Sequence, residues 1–248
     1  MTAFVRSARV YDALTAQKDY RRATRALVKA VRGVAPGART VLDVGCGTGR
    51  HLQYLRDRFD VEGLDLSRQM LAIARKRCPD VRFHQGSLID FKLSRRFDVV
   101  TCLFGSIGYA RTLTGLRMAV SSMAHHLRPN GVLVVEPWVT PERFITGRVV
   151  FDRVDAGDLK VARMYVTKRR GTVSIFDSHY VVGTPAGVEH FVERQELGLF
   201  TDAQYRAAFQ NAGLTVVATG PDLFGYGLYV CRMRGDVSRK DTARRRSS

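Results

Sequence analysis

Thr40-Val41-Leu42-Asp43-Val44-Gly45-Cys46-Gly47-Thr48-Gly49-Arg50 is the stretch that decides the fold. Val41, Leu42 and Val44 make a short apolar, partly β-branched run that suits a strand buried on both faces. Glycines at alternate positions then carry the chain through a turn with almost no side chains, where a ligand can lie against bare backbone. Thr48 is placed to cap a following helix whose first apolar residues are Leu52 and Leu55. The loop has no Lys where a phosphate-binding loop needs one, and the acid Asp43 stands at the strand's end. A carboxylate there suits a ligand carrying an ammonium group better than a diphosphate. Taken alone, the glycines fit an ordinary strand-to-helix turn equally well.

The next acid separates these readings. Val61-Glu62-Gly63-Leu64-Asp65-Leu66-Ser67 reads as a second strand ending in Asp65, with Ser67 capping a helix over Arg68–Arg77. An acid about 20 residues beyond a glycine loop, at the tip of the second strand, is where a ribose diol is gripped in a Rossmann-like half. Two acids without a phosphate site favour S-adenosylmethionine over a dinucleotide. The pattern D-V-G-C-G-T-G followed by G-L-D-L-S resembles class I methyltransferases.

The chain has 248 residues, 45% of them hydrophobic, enough to fill the core of one large domain. It has no run of 18 apolar residues and no apolar leader at its start, so no membrane association and a cytoplasmic location are expected. Cys46, Cys78, Cys102 and Cys231 are far apart, a pattern of reduced structural thiols rather than disulfides or a metal site. The net charge of +17 raises nucleic acid as a partner, but much of it sits at the two ends. Residues 1–40 hold nine Lys/Arg against two acids, and residues 232–248 hold seven against two. The tail 235–248 has no apolar anchor and is expected to be a solvated, disordered segment, which disfavours nucleic acid.

In chain order, Asp19 caps a helix running to about Arg32, which Gly33 ends. Tyr11 and Tyr20 lie outside the main repeat, where they either close over a ligand or pack. Val81–His84 is strand three, leaving through Gly86-Ser87-Leu88, the loop that meets adenine in this fold class. Phe97–Phe104 is strand four, opening into Gly105-Ser106-Ile107-Gly108-Tyr109 at the carboxyl edge of the sheet, where doubly wound sheets bind ligands. His125 and His126 read as surface and packing residues. Gly131–Glu136 is strand five. From Val139 to about Leu199, alternating segments around Arg169-Arg170-Gly171 give an antiparallel hairpin signature with no helix between, an insertion covering the edge of the site. Thr201 then caps a helix to Asn211, stopped by Gly213, before strands at Leu214–Thr219 and Gly227–Met233. The expected architecture is an α/β, Rossmann-like, seven-stranded class I methyltransferase sheet with one antiparallel member. It forms a single domain over residues 1–234, with residues 139–199 as the antiparallel β insertion after strand five.

A narrower resemblance rests on Lys18-Asp19-Tyr20, the Leu42–Leu52 loop, Met70–Arg77, His84–Gly86, Ser106–Tyr109, Val134–Trp138 and Leu199–Thr201. Together these are similar to the N,N-dimethyltransferases of nucleotide-linked amino sugars, the desosamine and mycaminose type. The resemblance implies an S-adenosylmethionine-dependent N-methyltransferase acting once or twice on the amine of a dTDP-linked deoxy-amino sugar in antibiotic biosynthesis. Another small amine or hydroxyl is the alternative acceptor, and nucleic acid the third. It further implies cofactor contacts from Tyr11, Tyr20, Asp43, Gly45, Cys46, Gly47, Asp65, Leu66, Met70, Gly86, Ser87, Leu88, Leu103 and Phe104. Substrate contacts fall to Ser106, Tyr109, Glu136, Trp138, Arg143, Arg148, Arg163 and His179, with Arg153 a further candidate for diphosphate. Tyr109 is the residue expected nearest the amine, orienting it by hydrogen bonding. No metal is expected, and a homodimer is compatible with the pattern.

Overall fold

The computed structural model describes residues 4–220 and 223–233; the expected basic tail at 235–248 lies outside them. Two short helices come first, α1 (Ala8–Leu14) and α2 (Tyr20–Val34), followed by β1 (Thr40–Val44), α3 (Leu52–Leu55) and β2 (Asp60–Asp65). Next are α4 (Arg68–Arg77), β3 (Arg82–Gln85), β4 (Phe97–Cys102), a 3-10 turn at Ser106–Ala110, α5 (Leu113–His125) and β5 (Leu127–Val135). An all-β run follows: β6 (Val149–Ala156), β7 (Leu159–Val166), β8 (Lys168–Arg170), β9 (Val173–Thr184) and β10 (Gly187–Gly198). The chain returns through α6 (Asp202–Asn211), β11 (Leu214–Gly220) and β12 (Leu228–Met233).

The main sheet has the order β11-β12-β5-β4-β1-β2-β3, with β12 antiparallel to both neighbours and the other pairs parallel. Burial on both faces explains the apolar Val41, Leu42 and Val44 of β1: all five of its residues, Asp43 included, are buried. One face packs on Leu27, Val31, Leu52, Leu55 and Leu71, the other on Leu116, Val120, Met123, Tyr205 and Phe209. The strands of the long run form a separate antiparallel sheet, β10-β9-β7-β6, with β8 paired to β9. Val10 and Leu14 of α1 bury themselves against Val161, Tyr180, Val182 and Phe191 on its inner face, each such side chain contributing ~1.5–3 kcal/mol. The first helix therefore ties the second sheet to the main one.

Several boundaries differ from the sequence reading. Asp19 does cap α2, accepting the Arg22 N–H at 2.8 Å, but Gly33 does not end it. The helix runs on to Val34 and stops at Ala35 because Pro36 bars its predecessor from the α region. Thr48 caps nothing: its Oγ1 donates to Asp12 Oδ1 at 2.7 Å, and α3 begins only at Leu52. β4 ends at Cys102, since Phe104 turns to φ +53°, and β5 begins at Leu127 rather than Gly131. His126 is a packing residue, its Nε2 accepting the Leu93 N–H at 2.9 Å.

Candidate active site

The strand order reverses between β1 and β4, so the crevice beyond their carboxyl ends is where this sheet offers a ligand site. Gly45 leaves β1 at φ +75°, and its N–H and that of Cys46 both donate to the Leu64 carbonyl, at 2.7 and 3.0 Å. A Cβ here would stand 2.8 Å from Ser106 Cβ, so only glycine lets the loop and Ser106 approach. Gly47 (φ +54°) faces open space, and its N–H donates to Asp65 Oδ2 at 2.8 Å. The Ser67 N–H donates to the other oxygen at 2.8 Å. Asp65 is thus locked against the glycine loop at the tip of β2, with lone pairs remaining on each oxygen for a diol. Burial raises Asp65 above the usual carboxylate range, against the amide donors of Ser67, Gly47 and Leu66.

Asp43, inside β1, is buried and accepts the Thr101 hydroxyl at 2.7 Å. Burial pushes it up to about 7, opposed by that bond and assisted by the charge of Asp65. A cation would favour ionisation of both acids. Open space over Gly47, a carboxylate ready for a diol and a buried acid that gains from a positive partner fit S-adenosylmethionine.

The N-terminal segment closes one side. Asp12 accepts Thr48 Oγ1 and pairs with Arg77, whose guanidinium also reaches the Thr48 carbonyl. Burial raises both the Tyr11 and the Tyr20 phenols. The Arg50 guanidinium lies 4.9 Å from the Tyr20 ring centre. Of the Tyr pair, Tyr20 is buried and Tyr11 half-buried, so packing and closure are combined in one cluster.

The opposite wall comes from the second sheet. Asp152, Arg163, Tyr180 and Phe191 fall on one register line across β6, β7, β9 and β10, all on the inner face. Arg163 donates through Nε (3.0 Å) and Nη2 (2.6 Å) to Asp152 Oδ2. Burial lowers the Arg163 pKa and the bond to Asp152 raises it, with a net rise, so the guanidinium stays charged. Glu136, fully buried just past β5, accepts the Phe104 N–H at 2.7 Å and holds Phe104 in its left-handed turn. Trp138 donates through Nε1 to Ser174 Oγ (3.1 Å) and packs 5.2 Å from Tyr226. Tyr109 is half-buried in the 3-10 turn; its phenol is pushed up by burial first, then by Asp65, Tyr180 and Glu193.

The other expected residues divide. Gly86, Ser87 and Leu88 form a half-buried loop after β3, where Ser87 Oγ accepts the Ile89 N–H at 3.2 Å. Cys46, Met70 and Leu103 are buried in the packed interior, and Leu66 is exposed. Arg143 is exposed and reaches the Gly225 carbonyl at 3.3 Å, and Arg148 is exposed ahead of β6. His179 and Arg153 are corrections. Strand alternation that turns Tyr180 and Asp152 inward puts these neighbours outward, His179 stacking on His190 with ring centres 5.5 Å apart. Neither faces the crevice. The sequence reading assigned no role to Lys18, Asp12, Tyr180 or Phe224, although Asp12 and Lys18 flank the tyrosines it singled out.

Fold and site together define a class I, S-adenosylmethionine-dependent methyltransferase. Residues 41–131 match the family model described as a methyltransferase domain. The dTDP-3-amino-3,6-dideoxy-alpha-D-glucopyranose N,N-dimethyltransferase of Streptomyces fradiae is 45% identical over 216 residues, covering 86% of this chain and 84% of that protein. The crystal structure of Streptomyces venezuelae DesVI matches with a TM-score of 0.85 at 43% identity, over 92% of this chain and 98% of the other. SAM-bound CalS10, an amino pentose methyltransferase from Micromonospora echinaspora, matches at 0.82 and 39% identity, over 94% and 99%. The chain belongs to the family of dTDP-amino-sugar N,N-dimethyltransferases.

Proposed function

We propose that this enzyme methylates the amino group of a dTDP-linked deoxy-amino sugar in antibiotic biosynthesis. One observation carries the reading. The 3-10 turn that carries Tyr109 packs on β10 of the second sheet, a Cβ at Gly108 standing 3.0 Å from Leu197 and Arg111 lying 3.5 Å from Glu196. The second sheet, with its inward Arg163, therefore borders the same carboxyl edge as the acids suited to the cofactor. S-adenosylmethionine, when bound, supplies a methyl group on a positively charged sulfur. Asp65 holds the ribose diol, and Asp43 faces the cationic methionine end. Arg163, fixed by Asp152 and within reach of Tyr165 and Tyr180, takes the diphosphate side of the sugar nucleotide. Tyr109, kept protonated, accepts an N–H of the amine on its phenol oxygen, which orients the nitrogen and leaves its lone pair free for the methyl group. Positioning of this kind supplies effective molarities of ~10⁵ M or more, so no strong protein base is required.

We assign the whole of residues 1–234 to this one domain and place it in the cytoplasm, where its four buried thiols stay reduced. Among the described residues, no helix is long and apolar enough to cross a membrane. We also assign a homodimer to the outer face of the second sheet. There Phe151, Met164 and Val192 are exposed along one register line with His179, and Val181 on the next with Arg153 and His190, a stripe of apolar side chains that a second copy would cover. Sedimentation of Phe151→Asp against the parent chain tests it, a shift to monomer being expected.

Titration of the protein saturated with S-adenosylhomocysteine tests the substrate reading. Saturable, salt-resistant binding of a dTDP-amino sugar is expected. Binding of an oligonucleotide alone, weakening steeply with salt, would contradict it.

A further inference from the structure

Residues 4–7 span the gap between α4 and β10 of the second sheet. At one end the Phe4 carbonyl accepts the Ser67 hydroxyl at 3.3 Å. Ser67 is the residue whose N–H holds Asp65. At the other end three donors converge on one carboxylate, that of Glu193 on β10. They are the Arg6 N–H at 2.5 Å, the Ser7 N–H at 3.3 Å and the Ser7 hydroxyl. Arg6 also pairs with Glu189 at 2.8 Å, and its guanidinium lies 4.5 Å from the Phe191 ring centre. Between these ends the Phe4 ring meets Tyr11 and Tyr109 edge to face, with ring centres 5.5 and 6.1 Å apart. The segment therefore bridges the ribose acid's loop, the second sheet and the residue given to the amine.

Three features mark this bridge as held shut rather than built in. Phe4 has φ +64°, a left-handed conformation that a bulky residue keeps only where its surroundings impose it. The anchors are polar, and none of residues 4–6 is buried. An open cleft of about 460 Å³, lined in part by Val5, Arg9, Gln69 and Ile73, borders the segment and leaves it room to move. We propose that residues 4–7 are a strap that closes over bound S-adenosylmethionine, and that unhooking it from Glu193 admits and releases the cofactor. The inference rests on the cofactor assignment alone and holds for any acceptor. Strain relieved at Phe4 on opening offsets part of what the anchors contribute on closing, which brings the two states together in free energy.

Such a gate has a kinetic signature. Glu193 holds the strap and not the ligand, so weakening it speeds entry and exit alike and leaves their ratio little changed. A side chain that held the ligand directly would change release far more than association. The test uses the full chain and labelled S-adenosylhomocysteine. Release is timed by a chase with unlabelled ligand, association by the approach to equilibrium, and thermal unfolding shows that each variant is folded. Losing one hydrogen bond to a charged group is worth ~10-fold or more, so Glu193→Ala is expected to speed both association and release by at least ~10-fold while Kd stays within about threefold. Glu193→Gln, which keeps an acceptor oxygen, should fall between it and the parent. Arg6→Met, at an exposed position, cuts only the Glu189 side of the latch and should move both rates the same way by less. Unchanged rates in folded Glu193→Ala, or in Arg6→Met if the first variant does not fold, would overturn the proposal. Faster release with unchanged association would overturn it too, since the segment would then be a direct contact of the cofactor. A parent protein that binds no S-adenosylhomocysteine would overturn the cofactor assignment itself, and the strap with it.

Discussion

Asp65 is the residue on which the cofactor half of this account most depends. Its two oxygens accept the Gly47 and Ser67 N–H groups, each at 2.8 Å. The carboxylate therefore shapes the glycine loop as well as offering lone pairs to a ribose diol. Hydrogen bonds to a charged group are worth ~1.5–3 kcal/mol each, so losing even one of the two ribose bonds weakens binding by ~10-fold or more. Asp65→Ala removes the diol contacts and both loop anchors, and the expected loss of S-adenosylhomocysteine affinity is ~10–150-fold at the least. Asp65→Asn retains one acceptor oxygen and should fall between the two. Stability should change less than affinity. The lost loop bonds are offset by relief of a carboxylate whose charge burial already disfavours. Isothermal titration with S-adenosylhomocysteine reads the first effect and thermal unfolding the second. Unchanged affinity in a folded Asp65→Ala protein would remove Asp65 from the site.

Tyr109→Phe should lower kcat moderately, by less than the ~10²–10⁴-fold that loss of a general base costs, and should keep the acidic limb of the pH profile. Near-total loss of activity together with loss of that limb would make Tyr109 the base. Arg163→Met should raise the KM for the sugar nucleotide well above any change in S-adenosylhomocysteine affinity, as steady-state kinetics and titration would show. Asp43 is protonated below about 7 and anionic above it, and a cationic ligand favours the anion. Affinity for S-adenosylhomocysteine, which carries an ammonium, should accordingly rise as pH increases through that value, and Asp43→Asn should flatten the dependence. The same raised pKa means Asp43 costs stability as pH rises from its unfolded range toward 7, so Asp43→Asn should unfold at higher temperature than the parent at pH 8.

The main sheet was legible because its signals are local. A buried apolar run, glycines that must turn, and an acid at a fixed distance placed β1, β2 and α4 within a residue or so of their positions. Thr201 announced α6 in the same way, and it forms a capping box with Gln204. The misses are tertiary. Thr48 has a good capping side chain, but Asp12, distant in sequence, claims its hydroxyl. His179 and Tyr180 are adjacent and both polar enough to serve; only the register of β9 against β7 and β10 decides which one faces inward. Lys18 carries no signal as a lone lysine. Its position becomes informative only once Phe104 and Phe224, far apart in sequence, close around it.

Transfer to nitrogen of a nucleotide-linked sugar is the central claim, and product analysis tests it most directly. The full chain would be incubated with S-adenosylmethionine labelled in the methyl group and a panel of dTDP-linked amino sugars, each beside its hydroxy counterpart. Mass spectrometry and NMR of the products should show one or two labelled methyl groups on the amine nitrogen and none on the hydroxy sugars. Label on a sugar hydroxyl, or no label on any amino sugar while the protein binds S-adenosylhomocysteine normally, would contradict the account.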